Sequence, residues 1–218
     1  MLLAFMFLGV MGQTSANESD LLLATDVSKV VDSQFSKSQL YSNARKWVLS
    51  TYADYKSVIQ NESPEEGQIA LKGREDLKTK KMDEANAGFT YETITYTIVI
   101  DCKDKKYRYK ISDIRIESKH WILSSDREIS KEISPSYHIT DIHACKSIIE
   151  DYKTKIDIIR SEPKISKKGE KQISEYNRLI ALEENDIETS ISFCREEYGF
   201  IQKLSNSIEI GMRLNDSF

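Results

Sequence analysis

The chain has 218 residues, 39% of them hydrophobic, and a formal net charge of −4 from 31 basic and 35 acidic side chains. That length allows one large domain or a domain with an appendage. The near balance of charge speaks against a dedicated nucleic-acid binder, which is normally strongly basic, and against an acidic solvating chain.

Residues 1–16 read as a secretory signal peptide. An apolar run from Met1 to Met11 is followed by Gly12 and the small-residue site Thr14-Ser15-Ala16, with cleavage expected after Ala16. The run is too short to span a bilayer, no Lys or Arg precedes it, and no Cys follows it to carry a lipid. The mature protein is therefore expected to be periplasmic or extracellular, without membrane attachment. Residues 17–139 are expected to form one α+β domain, and residues 140–218 a helical region.

Leu21–Val31 reads as an opening strand. Ser36 is placed to cap a helix, with Gln39 completing a capping box and Phe35 and Leu40 forming a hydrophobic staple. Leu40, Ala44, Trp47, Val48, Thr51 and Tyr55 then recur on one helical face, which should cover a sheet. Two short strands are expected at Ser57–Asn61 and Gly67–Gly73, around a turn set by Pro64. Arg74–Ala87 reads as a charged connecting loop.

The main feature is a long hairpin from Gly88 to Ser118. Ile94, Tyr96, Ile98, Ile100 and Cys102 alternate with Thr93, Thr95, Thr97, Val99 and Asp101, the pattern of a half-buried strand. The turn falls at Asp104-Lys105. Tyr107, Tyr109 and Ile111 continue the apolar face, after which Ile114 and Ile116 have the opposite parity, so a bulge near Ser112-Asp113 is required. The second face is expected to be wet. Thr93, Thr95, Thr97, Arg108 and Lys110 on it form the candidate binding surface.

Lys119–Tyr137 reads as irregular, anchored by Trp121, Ile122 and Leu123. Thr140 is placed to cap a helix with an apolar seam through Ile142, Cys145, Ile149, Tyr152, Ile156 and Ile159, ending before Pro163. A longer helix follows from about Glu170 to Met212, with a seam through Ile173, Tyr176, Ile180, Ile187, Ile191, Cys194, Tyr198, Ile201, Leu204 and Ile208. At about 60 Å against about 30 Å for its partner, part of it is left without cover. It must fold over the sheet, break near Gly199, or meet another chain.

Three pieces in this order resemble a family found in secreted proteins of Bacteroidetes, a domain of unknown function with a fold like the TATA-binding protein. They are FSKSQLYSNARKWVLSTY (Phe35–Tyr52), SVIQNESPEEGQIALKG (Ser57–Gly73) and KDKKYRYKISDI (Lys103–Ile114). The resemblance covers roughly residues 20–118. It implies a curved antiparallel sheet with a helix on one face and implies no chemistry. This chain departs from it in having Lys105-Lys106 where Gly would suit the turn, and in its long helical tail.

Few groups suggest catalysis. His138, Asp141, His143 and Cys145 have metal-ligand types but poor helical spacing, so Asp141 is better read as complementing a helix start and Cys145 as part of the seam. Cys102, Cys145 and Cys194 fall on apolar stripes and read as buried thiols, with one disulfide as the alternative. The pairs Glu65-Glu66, Glu183-Glu184 and Glu196-Glu197 read as solvated charge. No nucleophile elbow, HExxH motif or phosphate loop occurs. The basic stretch Lys103, Lys105, Lys106, Arg108, Lys110, Arg115 and Lys119 is interleaved with Asp104, Asp113 and Glu117 and reads as a solvated face. No cofactor, metal or catalytic residue is expected. The expectation is a non-catalytic binding module for an unknown protein or small ligand. A homodimer through the long helix is the alternative, and a metal-dependent hydrolase using His138 and His143 the third reading.

Overall fold

A computed structural model describes residues 26–77, 80–81, 88–122, 127–134 and 136–213. The expected signal peptide, the first half of the expected opening strand, and the expected anchor Leu123 lie outside them. The described chain is α+β. Seven antiparallel strands form one sheet in the order β1 (Val27–Asp32), β6 (Lys106–Ile122), β5 (Gly88–Lys103), β3 (Gln68–Asp76), β2 (Ile59–Ser63). Toward its far end β4 (Lys80–Lys81) pairs with β5, and β7 (Arg127–Ile133) pairs with β6.

The hairpin β5–β6 is the spine. Ile94, Tyr96, Ile98, Ile100 and Cys102 face Tyr107, Tyr109, Ile111, Ile114 and Ile116 on one buried layer. The phase change is absorbed where the text of the sequence demands it. Thr95 pairs with Arg115 and Thr97 with Ser112, so Tyr96 stands opposite two residues, Asp113 and Ile114. Asp113 takes the left-handed conformation (φ 53°) that lets the bulge turn Ile114 inward. The turn residue Lys105 is also left-handed (φ 63°).

Helix α1 (Lys37–Thr51) begins with the expected capping box, Ser36 accepting from the Gln39 amide while Gln39 accepts from the Ser36 amide. The hairpin turn adds a second cap, since the Asp104 carboxylate accepts from the Lys37 amide at 2.8 Å. Leu40, Ala44, Trp47 and Val48 are buried on the sheet, while Thr51 is exposed. Tyr55 belongs instead to a one-turn helix, α2 (Tyr55–Val58), capped by Asp54, so the next strand starts at Ile59 rather than Ser57. Gly67, at φ 73°, closes the β2–β3 turn, and its carbonyl accepts from Cys102.

Two stretches expected to lack regular structure do not. Arg74–Asp76 completes β3, because β5 is long enough to pair with it as far as Thr93. Trp121 and Ile122 extend β6, and Arg127–Ile133 returns along it as β7. In both, pairing to a long neighbouring strand outweighs a weak local pattern.

Helix α3 (Tyr137–Arg160) starts one turn before Thr140, whose hydroxyl donates back to the Ser136 carbonyl. It stops before Pro163, as expected. Helix α4 (Lys167–Met212) runs unbroken through Gly199 for 46 residues, about 69 Å. Its first part pairs with α3, where Tyr152 stacks on Tyr176 at 5.5 Å. Its last part folds over the sheet and α1, and Ile201, Leu204, Ile208 and Met212 join the main core. Gly211 permits this approach, since a Cβ there would stand 2.6 Å from Trp47 Cδ1. The last part of the long seam is thus covered by the sheet and α1. No helix among the described residues is long and apolar enough to cross a membrane.

Candidate functional site

The structure offers two places to consider: the outward face of the hairpin, and a polar cluster buried beneath its far half.

On the outward face, register places Arg108 beside Asp101, Lys110 beside Val99, Thr97 beside Ser112 and Thr95 beside Arg115. Arg108 donates twice to Asp101 Oδ2, at 2.6 and 3.0 Å, and Gln68 donates to Oδ1 at 2.8 Å. Burial opposes the Asp101 charge, but these hydrogen bonds from Gln68 and Arg108 prevail and hold its pKa below the usual value. Lys110 pairs with Asp26 at 3.1 Å. Arg115 and Lys119 likewise meet Asp113 and Glu117. At these four positions, Arg108, Lys110, Arg115 and Lys119, the basic arm is a face of locally matched charge. Thr95 and Thr97 are half-buried on it. Thr93 departs from the expected wet surface. It is 1% exposed between Asp76 and Glu117 of the neighbouring strands and donates to Asp76 at 2.7 Å. Near the turn, a hollow of about 420 Å³ opens between Val30, Glu66, Asp101, Lys103, Lys106 and Arg108.

The buried cluster joins three elements. Glu92 lies on β5 in the same parity as Ile94 and Tyr96, and therefore points into the core layer. His138 comes from the first turn of α3, and Glu197 from α4, one turn after Cys194 and one before Ile201. Their side chains are 0%, 7% and 1% exposed. His138 Nε2 stands 2.9 Å from Glu92 Oε1 and 3.6 Å from Glu197 Oε1. Phe193 stacks on the imidazole at 5.0 Å and Tyr137 meets it edge-on, so the ring is held in place. Glu92 Oε2 and Glu197 Oε1 have no hydrogen-bond partner within the protein. Burial, followed by the charge and hydrogen bond of Glu92, pushes the Glu197 carboxyl up to about 9. Two carboxylates buried together cost several kcal/mol unless a proton or cation compensates them. One donor atom from each of the three residues lies within 4.8 Å of the others, a grouping able to hold a metal ion.

The chain-local set His138, Asp141, His143, Cys145 does not assemble. The helix turns His143 to the surface. Asp141 accepts from Ser190 at 2.7 Å, on the face toward α4. Cys145 is buried, and burial followed by a hydrogen bond to Glu183 pushes its thiol up to about 12. Cys102 and Cys194 are also buried free thiols, each raised to about 12 chiefly by burial. Reading Glu196-Glu197 as solvated charge fails for Glu197. The buried seam passes through Glu197, and Tyr198, expected on it, is 40% exposed. Glu92 and Glu197 were missed, although an acid in the apolar register of a strand and another between Cys194 and Ile201 on a seam were the available signals.

Residues 28–117 match the family model described as a domain of unknown function (DUF4468) with TBP-like fold. The resemblance read from the sequence is therefore shown over that span. Two solved structures are similar. One is a TBP-like protein from Parabacteroides distasonis ATCC 8503, with a TM-score of 0.48 and 16% identity over 88% of this chain and 94% of that one. The other is a DUF4468 family protein from Bacteroides ovatus ATCC 8483, with a TM-score of 0.45 and 14% identity over 93% of this chain and 98% of that one. A search of curated proteins gave no match.

Proposed function

We propose that the protein is a non-catalytic binding module that works outside the cytoplasm, after loss of residues 1–16, and takes an acidic ligand on the outward face of its sheet. The observation that carries this reading is the hollow beside the hairpin turn. Lys103, Lys106 and Arg108 face Glu66 and Asp101 there, so positive charge is in surplus by one. Asp101 is already occupied by Arg108 and Gln68, which fixes the guanidinium in position. The ligand class that this chemistry recognises is a carboxylate-bearing segment or small molecule.

The test is an amide chemical-shift titration with a short poly-glutamate peptide as probe. Saturable shifts are expected at Lys103, Lys106 and Arg108, lost in the double variant Lys106→Glu, Arg108→Glu. Shifts absent in the unaltered protein, or unchanged in that variant, sink the acidic-ligand reading. N-terminal sequencing of the exported chain should begin at Asn17; an intact chain retained in the cytoplasm would refute the location. A substrate-dependent turnover abolished by one polar substitution would refute the non-catalytic part.

A further inference from the structure

We propose that Glu92, His138 and Glu197 form a binding site for one divalent transition-metal ion of the zinc class, a structural clamp between the far half of the hairpin and the two long helices. The proposal stands apart from the binding reading above and survives its failure.

Three observations carry it. The donors come from three separate elements, β5, α3 and α4, yet converge within 4.8 Å of one another. On zinc–ligand bonds of 2.0–2.1 Å at tetrahedral angles, two donors stand about 3.3 Å apart. The separations from His138 Nε2, 2.9 Å to Glu92 and 3.6 Å to Glu197, lie on either side of that value. Second, both carboxylates are essentially without solvent exposure, and each has an oxygen with no protein partner, Glu92 Oε2 and Glu197 Oε1. A buried oxygen with no donor is costly, and a cation satisfies both at once. Third, the imidazole is held by Phe193 and Tyr137 with Nε2 toward the carboxylates. A positioned imidazole is what a metal site requires of its ligand.

The donor set selects the ion. Magnesium and calcium take oxygen ligands, whereas an imidazole with carboxylates suits zinc and its first-row neighbours. Such an ion would tie together residues 46 positions apart in Glu92 and His138, with Glu197 from the last helix as the third point.

The experiment uses tag-free full-length protein stripped with a chelator and titrated with Zn²⁺ by calorimetry, and with Co²⁺ by visible absorption. One ion per chain is expected, with intense tetrahedral Co²⁺ bands and a higher Tm. Glu92→Gln and Glu197→Gln should each weaken Zn²⁺ binding by more than the ~100-fold that losing an outer-shell partner costs, with unchanged circular dichroism. His143→Ala and Cys145→Ser should bind as the unaltered protein does. No stoichiometric ion in the unaltered protein overturns the proposal. So does binding that persists in both glutamine variants, or that is lost only in Cys145→Ser. Should a glutamine variant fail to fold, the stoichiometry and Co²⁺ spectrum of the unaltered chain still decide.

Discussion

Glu197 and Glu209 are carried by the same helix, α4, and both reach down to the same hairpin, but the two ends of the contact are built differently. Glu209 accepts from Lys29 at 2.6 Å and from Tyr109 at 3.0 Å, and keeps 16% of its side chain in solvent. The Lys29 hydrogen bond, against a smaller penalty from burial, holds its carboxyl below the usual value. Glu197 is fully enclosed with a second carboxylate, keeps an unpartnered oxygen, and is pushed the other way. One end is a finished ion pair at the rim of the core. The other is an enclosed polar group with more acceptors than donors. A single helix thus carries one carboxylate whose environment is complete and one whose environment asks for a cation.

The largest effect is expected at the enclosed end. His138→Leu removes the donor facing Glu92 and leaves two carboxyl groups together; unfolding by urea with chelator present should lose about 3–5 kcal/mol. A loss below about 1 kcal/mol would mean that the cluster is solvated and the contrast with Glu209 false. At the other end, Gly211→Ala puts a Cβ within 2.6–2.8 Å of Trp47 side-chain atoms. It should cost about 1–3 kcal/mol by overpacking, read from the same denaturation curves together with a changed tryptophan emission.

Glu209→Gln sharpens the comparison through pH. Because its folded pKa is depressed from 4.5, Glu209 contributes stability above that value and loses it as pH falls through the folded value. With Lys29 54% exposed, the contribution is screened, on the order of 1 kcal/mol at neutral pH. The gap between the unaltered protein and Glu209→Gln should therefore shrink steadily with acidification below 4.5. A gap independent of pH would remove the ion pair from the account. The smallest effect is at the hairpin turn, where Lys105→Gly relieves a left-handed φ of 63°. It should stabilise by up to about 1 kcal/mol, the gain reduced by the added freedom of the unfolded chain.

Much of the sheet was legible because its signals are local. Alternation fixed the buried layer of β5, and the parity break at Ile114 located the bulge at Asp113, opposite Tyr96. Ser36 and Gln39 are three residues apart and announced the start of α1. The cluster was not legible in that way. His138 invited grouping with Asp141, His143 and Cys145 because they are its neighbours in the chain, whereas its partners are supplied by a strand 46 residues earlier and by the last helix. Thr93 failed for the same reason. Its environment is decided by Asp76 and Glu117 on adjacent strands, not by its own strand's alternation. β7 was hidden because REISKEI carries few apolar side chains, six of its seven positions being exposed, so that pairing alone makes it a strand.

The path of α4 also sets an order on folding. Trp47, Leu40 and the hairpin layer are made early, but Ile201, Leu204, Ile208 and Met212, which cover them, are made last of the core residues. A nascent chain that has already displayed α1 and the whole sheet still lacks the lid of its own interior. Closure must therefore wait for contacts between residues such as Asn43 and the Met212 carbonyl, 169 positions apart, which makes the final step one of high contact order and slow relative to hairpin formation.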